Sequence, residues 1–217
     1  MLESKYLFKF LFAGVILFCI DAFSAGVENP GTEVWERFSL VRTDPVADSR
    51  ETLRKIYTAE IGVREKTGRN DGARVEEYLK YVDLSKGEPY CAAFASWCMG
   101  KAGIPNPRTG WSPSLFPADK VVWERSRSLS ASPGPAGLTG PKYTPQSGDV
   151  FGIYFPEKKR IAHVGFIEKW DDSWIITVEA NTNSAGSREG DGVYRKRRLT
   201  ASIYKVSSFI TTKSQHL

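Results

Sequence analysis

Residues 148–183 read GDVFGIYFPEKKRIAHVGFIEKWDDSWIITVEANTN, and they decide the fold class. Three runs rich in Val, Ile and aromatic residues, at 149–155, 161–170 and 173–181, are split by the turn signals Pro156-Glu157-Lys158 and Asp171-Asp172. Apolar and β-branched runs of this length, bounded in this way, predict strands joined as antiparallel hairpins. A fourth strand is expected at 192–197, beyond the glycine-rich SAGSREGDG, and a last one over 203–210. Upstream the period is helical. RETLRKIYTAEI at 50–61 places Leu53, Ile56, Tyr57 and Ile61 at helical spacing. A second helix over 72–82, capped by Asn70 or Asp71, presents Val75, Tyr78, Leu79 and Val82. A third runs over 91–102 and is stopped by Gly103 and Pro105. Residues 126–147, rich in Ser, Pro and Gly, read as an irregular excursion. Helices first and an antiparallel meander afterwards is an α+β arrangement, with N-terminal helices packed on an antiparallel sheet.

The whole chain agrees with a folded domain. Its 217 residues are 41% hydrophobic and 25% charged, which excludes collagen, a disordered tail and a multi-span membrane protein. The length allows one domain of moderate size or at most two small ones. Lys and Arg number 30 against 25 Asp and Glu, a net charge of +5 that suits an anionic partner. No repeat and no phosphate-binding glycine loop is present. The first 24 residues stand apart: Lys5 and Lys9 precede an unbroken apolar run at 10–20, and Ala22-Phe23-Ser24 supplies small residues for cleavage. Eleven apolar residues are too few to cross a bilayer, which needs about 20, but they match the core of a signal peptide. A lipoprotein acylated at Cys19 is the competing reading, and the bulky Phe18 before that cysteine argues against it. The leader holds Lys5, Lys9, Glu3 and Asp21, so its removal leaves the charge unchanged. We therefore expect a signal peptide over 1–24, a linker over 25–49, a folded domain over 50–212 and an exported product, periplasmic or extracellular.

Cleavage of the leader leaves two cysteines, Cys91 and Cys98. In an exported protein two cysteines usually pair. On one helix, however, seven positions at the helical rise separate them by about 10 Å, beyond the roughly 7 Å a disulfide spans. Cys98, among Phe94, Ala95, Trp97 and Met99, reads as a packed core thiol. Cys91 opens the helix, where the macrodipole and free N–H groups favour a thiolate, the form that acts as nucleophile. A thiolate nucleophile needs a base, most often His. Only His163 and His216 exist, and His216 lies in the tail. Two histidines, one of them terminal, also make a His-rich zinc site improbable, so no metal is expected. A strand histidine alone is more often a packed or surface residue than a catalyst. The next strand ends Thr177-Val178-Glu179-Ala180-Asn181, and strand alternation puts Glu179 and Asn181 on one face. A turn centred on Asp171-Asp172 sets His163 opposite position 180 or so, within reach of either polar residue. Without such a neighbour, a Glu-x-Asn strand end would be only solvated.

Taken in order, Glu88-Pro89-Tyr90-Cys91-Ala92-Ala93-Phe94, Gly148-Asp149-Val150, Ala162-His163-Val164-Gly165-Phe166-Ile167 and Val178-Glu179-Ala180-Asn181-Thr182-Asn183 resemble the CHAP group of cysteine peptidoglycan hydrolases, relatives of the NlpC/P60 and papain-like folds. The stretches Ile61-Gly62-Val63-Arg64-Glu65 and Asn70-Asp71-Gly72 are also similar to that group's N-terminal lobe. The resemblance implies a papain-like α+β domain with Cys91 as nucleophile, His163 as base, Glu179 orienting it and Asn181 as an accessory polar group. It implies cleavage of amide bonds in peptidoglycan, at the muramoyl–L-alanine bond or within the peptides, by a monomer without cofactor, nucleic acid or stable membrane insertion. Tyr90 and Trp111 are the candidate substrate contacts, Trp111 equally readable as a loop aromatic covering the core. Arg195-Lys196-Arg197-Arg198 reads as a solvated strand end with no part in the site. The rival classes are a catalytically silent wall-binding module and an antibacterial effector with the same chemistry.

Overall fold

Three helices precede the main sheet strands in the computed structural model, which describes residues 44–125, 143–184 and 190–210. Helix α1 spans Pro45–Ala59, α2 Ala73–Tyr81 and α3 Cys91–Lys101. Strands β1 (Val121–Glu124), β2 (Val150–Phe155), β3 (Arg160–Lys169), β4 (Trp174–Thr182), β5 (Gly192–Leu199) and β6 (Lys205–Ser207) form one antiparallel sheet in the order β1-β6-β2-β3-β4-β5. This is the expected α+β arrangement. The leader, the linker as far as residue 43, most of the 126–147 excursion and His216 lie outside the described residues.

The start of α1 and the edge strand β1 differ from the sequence reading. Helix α1 begins at Pro45, inside the stretch read as linker. Its start is set by backbone chemistry: Asp44 accepts a hydrogen bond from the Val46 N–H at 2.9 Å, and Pro45 supplies a preset φ at the first helical position. Apolar periodicity, which begins only at Leu53, is blind to that signal. Strand β1 had no counterpart in the sequence reading. It is four residues long, half-buried throughout, and pairs only with the three-residue β6 on the sheet edge.

Helix α3 is buried from Cys91 to Met99 and so shows no amphipathic stripe. It packs on α1, α2, β3 and β4. Phe166 of β3 joins it to α1: its ring stacks on Tyr57 at 4.8 Å and meets Phe94 edge-on at 6.0 Å. A second apolar cluster, Phe151, Ile167, Ile175, Ile203 and Val206, with Trp123 and Trp170 beside it, covers the other side of the sheet. The front end of β2 is tied to α1 by charge. Arg50 donates to Asp149 Oδ1 at 2.9 Å and to the Ser147 carbonyl at 2.7 Å, while Tyr143 donates to Asp149 Oδ2 at 2.7 Å. Asp149 is fully buried, so this pairing carries its charge.

Candidate active site

Helix α3 begins at Cys91, so the N–H groups of its first turn, which have no partner within the helix, lie beside that residue. Tyr90, the residue before the helix, has no side-chain cap, and its own N–H donates to Asn181 Oδ1 at 3.3 Å. Asn181 holds φ at +55°, a left-handed conformation at the point where the β4–β5 ladder shifts register. Its Nδ2 donates to Asn70 Oδ1 at 2.8 Å. Asn181 therefore braces the entry to α3 instead of touching His163.

His163 lies on β3, 4% exposed, with Nε2 at 2.8 Å from Glu179 Oε2. That contact leaves Nδ1 for the Cys91 thiol, and the two groups shift each other's pKa toward the thiolate–imidazolium pair. The β3–β4 ladder pairs Phe166 with Val178 and Ile167 with Thr177, one residue from the register drawn from the turn, and strand alternation still sets Glu179 beside His163. Gly165 makes the reach possible. A Cβ there would lie 2.7 Å from the Val178 carbonyl and 3.0 Å from Glu179 Cγ, in the path of the carboxylate's own stem.

Glu179 has no exposure, yet its carboxylate is fully bonded. Oε1 accepts from Arg198 Nε and Thr177 Oγ1, and Oε2 accepts from Arg198 Nη2 and His163 Nε2. Arg198 was read as part of a solvated strand end; its side chain is 17% exposed and chelates the buried Glu. The cue lay in alternation. Cross-strand pairs Ile175–Arg198, Thr177–Lys196 and Glu179–Tyr194 put Arg198 on the face of Glu179, and a long side chain covers the remaining distance.

These contacts set the charges. Burial alone raises the Glu179 pKa, but the Arg198 and His163 partners overcome it and hold the carboxyl far below the usual range. Burial disfavours an imidazolium at His163; the hydrogen bonds and charges of Cys91 and Glu179 outweigh it and lift the pKa to about 9. Burial likewise opposes a Cys91 thiolate, and His163, the Ser112 hydroxyl and the Val164 N–H reverse that, so the thiol pKa falls below normal. Ser112, unremarked in the sequence, sits with Oγ 3.7 Å from Sγ. Cys98 differs: it is fully buried among the core side chains, and burial pushes its pKa well up. Both cysteines are free thiols.

Cys91, His163 and Asn181 line a cleft of about 850 Å³. Trp111 stands at its rim, 52% exposed, with the Arg160 guanidinium 4.0 Å above its ring. Tyr90 is not at the cleft. Its ring is fully buried near Tyr78 and its hydroxyl donates to Glu65 Oε1 at 3.1 Å, because the side chain before the helix turns into the core while its backbone faces the site. No group of described residues gathers three or more His, Cys, Asp or Glu side chains as a metal site would.

A buried thiol at a helix head, paired with an imidazole that is held by a carboxylate, is the arrangement of a cysteine hydrolase. Residues 83–181 match the family model of the CHAP domain, a family whose members are generally hydrolases acting on peptidoglycan. The match includes Cys91, His163, Glu179 and Asn181 and ends before β5. No curated protein matches the chain. A solved structure described as the crystal structure of Ly7917 is similar over 73% of this chain at 15% identity, with a TM-score of 0.36; the chain spans 61% of that chain's length.

Proposed function

We propose that this protein is an exported cysteine amidohydrolase that cuts amide bonds in peptidoglycan, as an N-acetylmuramoyl-L-alanine amidase or a peptide endopeptidase. The observation that supports this best is the chain of contacts from Cys91 to His163 to Glu179 at the base of an open cleft. The Cys91 thiolate attacks the amide carbonyl carbon and a C–S bond forms. The oxyanion develops beside the Cys91 N–H at the head of α3, where backbone donors stabilise it. The His163 imidazolium gives its proton to the leaving nitrogen as the C–N bond breaks, and a thioester remains. Water then attacks the thioester, His163 takes its proton, and the thiolate leaves. Glu179 holds the ring orientation and stabilises its charge throughout. The leader at 1–24 supports export of the product, and the cleft takes Trp111 as a substrate wall. The test is mass spectrometry of purified peptidoglycan digested with wild type and with Cys91→Ala. Products cut at one amide type, absent with Cys91→Ala, are expected; intact wall with the wild type, or equal digestion by both, overturns the reading. The same spectra distinguish the two activities, since an amidase separates whole stem peptides from glycan and an endopeptidase cuts within or between stems.

A further inference from the structure

We propose that Arg198 is a positioning residue of this site, holding the Glu179 carboxylate by two parallel hydrogen bonds as a counter-ion shared between Arg198 and His163. The proposal rests on the Cys91–His163–Glu179 reading above and adds a member on β5, beyond the stretch matched by the CHAP family. Nε and Nη2 of Arg198 lie 2.5 Å from the two carboxylate oxygens, the fork-to-fork geometry that fixes a carboxylate in plane as well as in place. Thr177 Oγ1 adds a third donor at 2.5 Å. With three donors on one side, the carboxylate has a single orientation left in which Oε2 meets His163 Nε2. A surface Arg held only for solubility would not be 17% exposed against a carboxylate with no exposure at all. Arg198 has no contact with Cys91 or His163 among the described residues, so it acts through Glu179.

Two consequences follow from a shared counter-ion. Geometry is the first: without the fork, Glu179 keeps only Thr177 and the imidazole and can rotate about its last bond. Charge is the second. The groups facing Glu179 are His163 from β3, with Cys91 of α3 behind it, and Arg198 and Lys196 from β5. The Lys196 ammonium is committed to the Asn183 carbonyl at 2.5 Å. Arg198 is therefore the cation that competes with imidazolium for the carboxylate, and its positive charge also favours the thiolate. Removing it favours imidazolium more strongly and thiolate less, so both limbs of the thiolate–imidazolium pH profile move up. Removing Glu179 does the opposite to both.

The experiment measures the rate of Cys91 alkylation by iodoacetamide against pH, read by peptide mapping, beside kcat and KM for wall clearing. Arg198→Gln is expected to move both limbs to higher pH by about one unit, with kcat lowered about tenfold and KM within twofold of wild type. Glu179→Gln moves both limbs down. Arg198→Lys keeps the charge but loses the fork, so its limbs stay near those of wild type while kcat falls severalfold. An Arg198→Gln profile superimposed on wild type in a folded variant overturns the proposal. Should Arg198→Gln not fold, Arg198→Lys decides: kcat lowered with limbs in place upholds it, and kcat equal to wild type overturns it. Alkylation reads the thiol itself, so a protein inert toward peptidoglycan would refute the hydrolase reading without touching this profile.

Discussion

At the scale of single residues, Cys91 and Cys98 show how environment divides one side-chain type into two. They sit on one helix, but Cys91 has a hydroxyl, an imidazole and a backbone N–H around its sulfur, while Cys98 is fully buried and feels chiefly that burial, with the Glu60 charge adding to it. Iodoacetamide near pH 7 is expected to label Cys91 and spare Cys98. Cys91→Ala should abolish wall hydrolysis with the fold intact, whereas Cys98→Ala should cost about 1 kcal/mol of stability and keep activity; peptide mapping and thermal melts check both. The His163 charge gives a second expectation, with a definite sign. Its folded pKa near 9 lies above the ordinary 6.5, so its charged interactions stabilise the fold below pH 6.5 and are lost as pH rises through 9. Glu179→Gln removes the carboxylate that favours imidazolium. The alkaline limb of the pH–rate profile should then fall toward neutrality and kcat should drop tenfold or more, about 1.4 kcal/mol of barrier. Asn181→Ala should leave that limb in place, because its contacts are to Tyr90 and Asn70.

At the scale of elements, the site depends on how closely β3 and β4 approach. Gly165 is the gap through which Glu179 reaches across to His163. Gly165→Ala places a methyl group against the Val178 carbonyl, the Phe151 ring and Glu179 Cγ at once. Strand separation or a displaced Glu side chain must follow. The expected cost is about 1–3 kcal/mol of stability, with a loss of activity larger than that of a distant core variant of equal stability. Melting temperature and wall-clearing rate measured together check this. The bulge at Asn181 works in the same way on α3. Its left-handed backbone turns an amide toward the Tyr90 N–H, so the helix entry and the end of β4 are one connected piece.

For the whole molecule, the Arg50–Asp149 pair is a long-range ionic contact that ties α1 to the sheet. Asp149 precedes β2 and Arg50 lies in α1, 99 positions apart in the sequence. Arg50→Ala leaves a buried carboxylate with Tyr143 and backbone partners only, at an expected cost of about 3 kcal/mol. Since neither residue touches the cleft, kcat below the melting transition should be kept; denaturant unfolding and wall clearing measured together check both halves. At the cleft itself, Trp111 is exposed and stacked under Arg160. Trp111→Ala should raise KM for wall substrate with little change in the Cys91 alkylation profile, as a rim contact would.

Sequence by itself determined the three helices, the strands from β2 onward and the Cys91, His163 and Glu179 candidates, because periodicity, turn residues and residue type are local properties. The change from helical to strand period near residue 148, Cys91 at a helix head and His163 within a strand were legible without any contact being known. The tertiary structure decided what those residues touch. Asn181 was expected on the face of Glu179 by simple alternation, and a bulge, which depends on the partner strand, turned it to Tyr90. Tyr90 looked like a groove residue beside Cys91 and is core, because the burial of a residue just outside a helix is set by what packs over it. Arg198 looked solvated, since a basic run usually is. Only the pairing of β4 with β5 brings its guanidinium onto the buried Glu179, and a carboxylate without water must draw a cation from wherever the fold offers one.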